Sequence, residues 1–231
     1  MTHENSTTLS YGAVTQDAMV DTQVTWLHLF RHGEAATGGV RLCRGHLDMG
    51  LSERGHADSA AAAAFAAEAL PRPAGILCSD LLRTRILAED LGRRLGMPVE
   101  EHPELREQFM GSWEGRSWEE LNVADPQGVA DYWEDYAHAR PGGGETYTET
   151  AERAVDWWRR ELHRLAGRRW ILVTHTGVIR AFCCALLGLE FDQALRFAPG
   201  YATHTQLAWA EAGGVITTLG EYPPGVGGVR Q

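Results

Sequence analysis

Two histidines in this chain each follow a short apolar run and lie beside glycine. Arg31-His32-Gly33-Glu34 follows Val24–Phe30, and His175-Thr176-Gly177 follows Trp170–Val173 and Thr174. A strand that ends on histidine presents imidazole at the rim of a sheet. A neutral imidazole can attack phosphorus and form a phosphoramidate. A second, protonated imidazole can stabilise charge on the transferred group. Arginine accompanies them: Arg31 precedes the first histidine, and Arg83 lies a turn beyond Ser79-Asp80, where another apolar run, Gly75–Cys78, ends. The guanidinium fork matches phosphoryl oxygens bidentately. The chemistry these residue types suit is phosphoryl transfer.

The elements that must position them can be read from periodicity and turn signals. Val24–Phe30, Gly75–Cys78, Val99–Glu101 and Trp170–Val173 read as strands. Gln206–Ala210 and Val215–Leu219 read as a terminal hairpin around Gly213-Gly214. Helices are expected over Glu53–Leu70 with Ser52 as N-cap, Leu81–Leu95 capped by Ser79-Asp80, Thr148–Leu165 and Val178–Leu187. Alternating strands and helices predict an α/β fold: a three-layer αβα sandwich around a mostly parallel sheet, with ligands at the carboxyl ends of strands. Residues 1–23 are polar and aperiodic and read as a flexible tail ahead of one domain over 24–231. Residues 117–146 mix aromatic, acidic and glycine residues and read as a lid-like insertion.

Composition excludes several classes. The 231 residues carry 31 acidic against 21 basic side chains, a net charge of −10, which argues against a nucleic-acid binder. Every basic residue is arginine; with no lysine there is no Schiff-base lysine and no Walker-type phosphate loop. The apolar stretches are too short for a membrane span, and no secretory signal is visible. The four cysteines, Cys43, Cys78, Cys183 and Cys184, lack zinc spacing and fit packed thiols in a reduced, cytoplasmic setting. The histidines are not spaced as metal ligands, so neither metal nor cofactor is expected.

The sequence resembles the histidine phosphatase (phosphoglycerate-mutase-like) superfamily. Leu29-Phe30-Arg31-His32-Gly33-Glu34 is similar to its opening signature. Gly45-His46-x-Asp48-x-Gly50-Leu51-Ser52-x-x-Gly55, Ser79-Asp80-Leu81-x-Arg83-Thr84, Leu105-x-Glu107-x-Phe109-x-Gly111-x-Trp113-Glu114-Gly115 and Val173-Thr174-His175-Thr176-Gly177-Val178-Ile179-Arg180 resemble its later motifs, in order. The resemblance implies that His32 is the phosphorylated nucleophile. It implies that Arg31, Arg83 and His175 form the phosphate pocket, and that Glu107 protonates the leaving oxygen and then activates water. Glu34 is the competing acid, with a substrate-facing position as its other reading. The chain departs from the pattern at Gly38, where asparagine is frequent, and at Thr176, where glycine is frequent; Thr176 is counted with the phosphate-binding residues. Arg44 stands where glutamine is common and either contacts phosphate or is a solvated loop residue. His204 is a candidate substrate contact, whereas His28 and His46 have no assigned role.

The Trp-Asn and Gly-Asn pairs of the family's mutases are missing, which favours a phosphatase. Tyr132-Trp133-x-x-Tyr136 followed by Arg140-Pro141-Gly142-Gly143-Gly144-Glu145 resembles the insertion of α-ribazole phosphatases. Trp133 and its neighbours then either stack on a flat base or form a lid packed on its own aromatics. The expected substrate is a small phosphomonoester, with α-ribazole 5′-phosphate the leading candidate. A phosphoglycerate mutase, a sugar-bisphosphate phosphatase and a non-catalytic or protein-directed regulatory member are the alternatives.

Overall fold

The computed structural model describes residues 24–210 and 213–227; the expected tail, residues 1–23, lies outside them. The strands are β1 (Thr25–Arg31), β2 (Gly75–Cys78), β3 (Val99–Glu101), β4 (Arg169–Thr174), β5 (His204–Ala210) and β6 (Gly213–Glu221). The longer helices are α1 (Glu53–Ala69), α2 (Leu82–Leu95), α5 (Tyr147–Leu165) and α6 (Thr176–Leu187). Two shorter ones, α3 (Trp118–Ala124) and α4 (Pro126–Glu134), lie between α2 and α5. The sheet order is β3-β2-β4-β1-β5-β6; β3, β2, β4 and β1 are parallel, β5 pairs antiparallel with β1, and β6 pairs antiparallel with β5.

Strand alternation sets the layers. Leu27, Leu29, Leu77, Trp170 and Leu172 point to one face, where Trp158 of α5 and Phe182 of α6 cover them. Phe30, Ile76, Cys78, Ile171 and Val173 point to the other, under Ala62, Ala63 and Ala66 of α1 and Leu87 and Leu91 of α2. Strands buried on both faces must be apolar at every position, which is why these runs read as continuous rather than alternating. The alanine run of α1 lets that helix approach the sheet closely.

Two expectations need correction. Asp80 does not cap α2: its carboxylate pairs with Arg106 (Nε to Oδ1 2.7 Å), and the Leu82 N–H is met instead by Asp48 Oδ1 at 2.7 Å. Residues 117–146 are also more regular than expected. Ser117 and Glu120 form a reciprocal capping box at the start of α3, and Asp125 caps α4 with Pro126 in its first turn. These helices cover a separate cluster of Cys43, Met110, Trp113, Leu121, Val129 and Tyr132.

The four cysteines are free and buried, as packed thiols should be. Burial pushes Cys43, Cys78 and Cys183 up to about 12. No helix among the described residues is long and apolar enough to cross a membrane.

Candidate active site

Sheet register brings the two histidines together. Adjacent parallel strands β1 and β4 pair Arg31 with Thr174, so His32 and His175 leave the sheet side by side. Their ring centroids are 5.1 Å apart, edge to face. The two strands meet where the order of connections reverses, the usual ligand position in open α/β sheets. β2 lies on the other side of β4, so Ser79 follows the same rim, and its Oγ is 3.0 Å from His175 Nε2.

His32 is held with one nitrogen free. Its Nδ1 lies 2.6 Å from the Gly33 carbonyl and must donate there, which leaves the Nε2 lone pair available. Burial, then Arg83, Arg31 and Arg44, push His32 well below the ordinary histidine range. Gly33 is required by close approach: a Cβ there would stand 2.3 Å from the Gly55 carbonyl oxygen in the first turn of α1.

The same electrostatics act against the protonated form expected of the second imidazole. Burial, then Arg83, His32, Arg31 and Arg44, push His175 well below its usual value. It still carries a donor. The Ser79 hydroxyl lies 3.0 Å from His175 Nε2; where it donates to that nitrogen, the imidazole proton is on Nδ1.

A cavity of about 240 Å³ opens beside His32, lined also by Arg31, Arg44, Arg83, Glu107, Trp133, Tyr136, Thr176, Gly177 and Arg180. Arg83 is 1% exposed and is fixed by the carbonyls of Gly45 (2.7 Å) and Leu47 (2.8 Å). Arg31 donates to the Pro199 carbonyl at 2.8 Å, and its guanidinium lies 3.8 Å over the Tyr201 ring. Burial lowers both guanidiniums to about 10, which leaves them charged at neutral pH. Around His32, Arg31 Nε, Arg83 Nε, His175 Nδ1 and Thr176 Oγ1 are buried without a hydrogen-bond partner. Buried donors are normally satisfied, so four unmatched ones around one imidazole fit an oxyanion.

Glu107 lies on the other wall. The Gly177 N–H, in the first turn of α6, donates to its Oε1 and Oε2 at 3.2 and 3.3 Å, and the Gln108 N–H to Oε1 at 3.1 Å. A Cβ on Gly177 would stand 2.2 Å from Oε1. Behind it, the His46 Nε2–H donates to the Glu107 backbone carbonyl at 2.8 Å.

The structure thus brings together His32, His175, Arg31, Arg83, Arg44, Thr176, Glu107 and Trp133. His175 is fully buried beside His32 and contributes no cavity surface of its own. Glu34 is bonded to the Ser52 hydroxyl (2.7 Å) and lines two neighbouring cavities with Arg31, not the one holding His32. His204 is not brought to the site. It is buried against Phe30 and hydrogen-bonded to His28 at 3.1 Å. Tyr201 was not legible, because it is placed by backbone geometry. Ala202, at φ +55°, turns its N–H onto the His32 carbonyl (3.2 Å). Arg180 falls within the motif that carries His175, but the motif gave it no role.

Paired imidazoles and buried arginines at the carboxyl ends of parallel strands give this α/β protein a pocket whose charge and donors suit a phosphoryl group. The sequence profile of the histidine phosphatase superfamily (branch 1) matches residues 27–221, and the chain belongs to that superfamily as one of its phosphatases. A glucosyl-3-phosphoglycerate phosphatase of Mycolicibacterium vanbaalenii is 34% identical over 80% of this chain and 85% of its own length. An adenosylcobalamin/α-ribazole phosphatase of Escherichia coli is 28% identical over 74% and 83%. A mycobacterial glucosyl-3-phosphoglycerate phosphatase, solved with VO3, superposes with a TM-score of 0.77 at 30% identity, covering 85% of this chain and 99% of the other.

Proposed function

We propose that the chain hydrolyses a small phosphomonoester through a phosphohistidine on His32. The observation that carries this reading is that Arg31, Arg83 and Thr176, which line the cavity with His32, and the adjacent His175 each keep a buried polar atom without a partner, beside an imidazole with a free Nε2. His32 Nε2 attacks phosphorus and the ester P–O bond breaks. Glu107 gives its proton to the departing alkoxide. Water then attacks the phosphohistidine, Glu107 takes the water proton, and the P–N bond breaks to return His32 and free phosphate. Arg31, Arg83, Thr176 and the His175 Nδ1–H bind the phosphoryl oxygens, and Arg44 contributes charge from the cavity wall.

The non-phosphate part lies against Trp133 and Tyr136. These two rings stack on each other (centroids 6.3 Å apart, 12° between planes), and both line the cavity, so the aromatic cover is packed on itself and also faces substrate. A bulky ester suits that wall. The α-ribazole 5′-phosphate reading rests on this aromatic segment. The greater identity to a glucosyl-3-phosphoglycerate phosphatase favours a phosphorylated sugar-acid conjugate over it. Among the described residues, no group of three His, Cys, Asp or Glu side chains could hold a metal ion.

The test is a panel of phosphomonoesters with and without excess EDTA. Hydrolysis of a bulky ester at higher kcat/KM than 3-phosphoglycerate or a sugar bisphosphate, unaffected by EDTA, is expected. A dependence on added metal, or mutase activity without net phosphate release, contradicts the reading.

A further inference from the structure

Tyr201 stands behind the phosphoryl pocket rather than in it. The guanidinium of Arg31 lies 3.8 Å over the centroid of its ring, and that of Arg44 lies 5.5 Å from the same centroid. Both arginines line the cavity that holds His32, whereas Tyr201 lines two neighbouring cavities and not that one.

A clamped loop delivers the ring. The Arg31 N–H donates to the Thr203 carbonyl at 3.2 Å, the Ala202 N–H to the His32 carbonyl at 3.2 Å, and Arg31 Nη1 to the Pro199 carbonyl at 2.8 Å. The Thr203 hydroxyl closes the turn on the Gly200 carbonyl at 2.8 Å. Ala202, at φ +55°, is the one left-handed residue other than glycine among the described residues. That conformation is disfavoured for a residue with a Cβ and persists only where surrounding contacts hold it. Here those contacts tie residues 199–203 to Arg31 and His32.

Arg31 needs support of a particular kind. Burial, and the Arg44 and Arg180 charges, act against its charged form. Among the described residues it forms no ion pair, and its Nε has no partner. A carboxylate would steady the charge but would occupy the N–H edge that a phosphoryl group needs. An aromatic face attracts the cation through the flat side of the guanidinium and leaves that edge free.

We propose that Tyr201 is a positioning residue for phosphoryl binding: its ring face holds the Arg31 guanidinium, and Arg44 beside it, next to His32 while leaving their N–H donors free. The proposal rests on the reading of the His32 cavity as a phosphoryl pocket. The ring face makes the contact, so the hydroxyl is dispensable.

Binding of inorganic phosphate, followed by calorimetry on the whole protein, tests this apart from turnover. Tyr201→Phe should match the wild type within about twofold, and Tyr201→Leu should bind about tenfold more weakly, the scale of one charge-assisted contact. Tyr201→Gln carries the same expectation as Tyr201→Leu and replaces it where thermal melting shows that the leucine variant does not fold. A second measurement reads the guanidinium itself. Limited modification by phenylglyoxal, followed by peptide mass spectrometry, compares Arg31 with Arg83, which is held by backbone carbonyls instead of a ring. Loss of the Tyr201 ring should speed modification of Arg31 several-fold and leave Arg83 unchanged; Tyr201→Phe should change neither. Undiminished phosphate affinity in the folded variant that lacks the ring, an equal loss in Tyr201→Phe, or acceleration of Arg31 and Arg83 alike overturns the proposal. No phosphate binding by the wild-type protein overturns the phosphoryl reading and the proposal with it, whereas the variant results overturn the proposal alone.

Discussion

At the scale of single residues, the site works by leaving polar atoms unmatched. His32 spends its Nδ1–H on the Gly33 carbonyl and keeps Nε2 bare; His175 spends Nε2 on Ser79 and keeps its Nδ1–H. On the proposed reading the two imidazoles serve as nucleophile and donor, and burial disfavours charge on both. Glu107 is held by the Gly177 and Gln108 amides rather than by an arginine. If it protonates the departing oxygen, Glu107→Gln should depend on the leaving group. Alkyl phosphates should lose about 10²–10⁴-fold in kcat/KM, the usual scale of general acid catalysis, while p-nitrophenyl phosphate, whose leaving group needs little help, loses far less. Steady-state kinetics on both esters measure this, and equal losses would give Glu107 a binding role instead. His32, Arg31, Arg83 and Glu107 were legible as candidates because they fall within contiguous motifs. The charge state of His175 was not, since it depends on burial and on arginines from other elements.

At the scale of elements, strand ends and helix starts deliver the site. β1 and β4 place the histidines, β2 places Ser79, and the first turn of α6 supplies both Thr176 and the Gly177 amide. A Cβ on Gly177 would collide with the Glu107 carboxylate and with nothing else closer than 3.6 Å. Gly177→Ala should therefore displace the Glu107 carboxylate and reproduce the leaving-group dependence of Glu107→Gln, about 10²-fold or more on alkyl esters. Comparable rates for this variant and the wild type on an alkyl ester would show that the amide contact is dispensable. The strands and long helices were legible from alternation and capping. The helices α3 and α4 were not read, although Ser117-x-x-Glu120 and Asp125-Pro126 are start signals; the aromatic and glycine content of the segment outweighed them. The capping of α2 by Asp48 joins residues distant in sequence, so no local pattern announces it. His204 misled because sequence places it beside the site strand but not on a face. Its ring in fact turns to Phe30 and His28 within the α1 layer.

At the scale of the whole molecule, four buried histidines are kept neutral. Burial lowers His28 and His204 to about 4, and His32 and His175 fall well below the ordinary value. The unfolded chain binds these protons near pH 6.5, while the folded chain resists them, His28 and His204 until about 4. The stability these groups contribute is therefore complete above about 6.5 and is lost as pH falls toward 4, at about 1.4 kcal/mol for each tenfold difference in proton affinity between the folded and unfolded chain. Urea midpoints should decline already between about pH 6.5 and 5, above the range where carboxylates titrate; a flat midpoint across that window would contradict the burial of neutral imidazole. The net charge of −10 gives no long-range attraction for anionic substrates. Capture then rests on the local arginines, which is why the acidic composition and the phosphate site coexist.

The central claim is the covalent intermediate. Its most direct measurement is rapid acid-free quenching of enzyme with excess phosphomonoester, followed by peptide mass spectrometry. A base-stable, acid-labile phosphate on the peptide carrying His32, absent from folded His32→Ala, is the predicted result. Turnover by His32→Ala at the wild-type rate, or phosphate found on another residue, would contradict it.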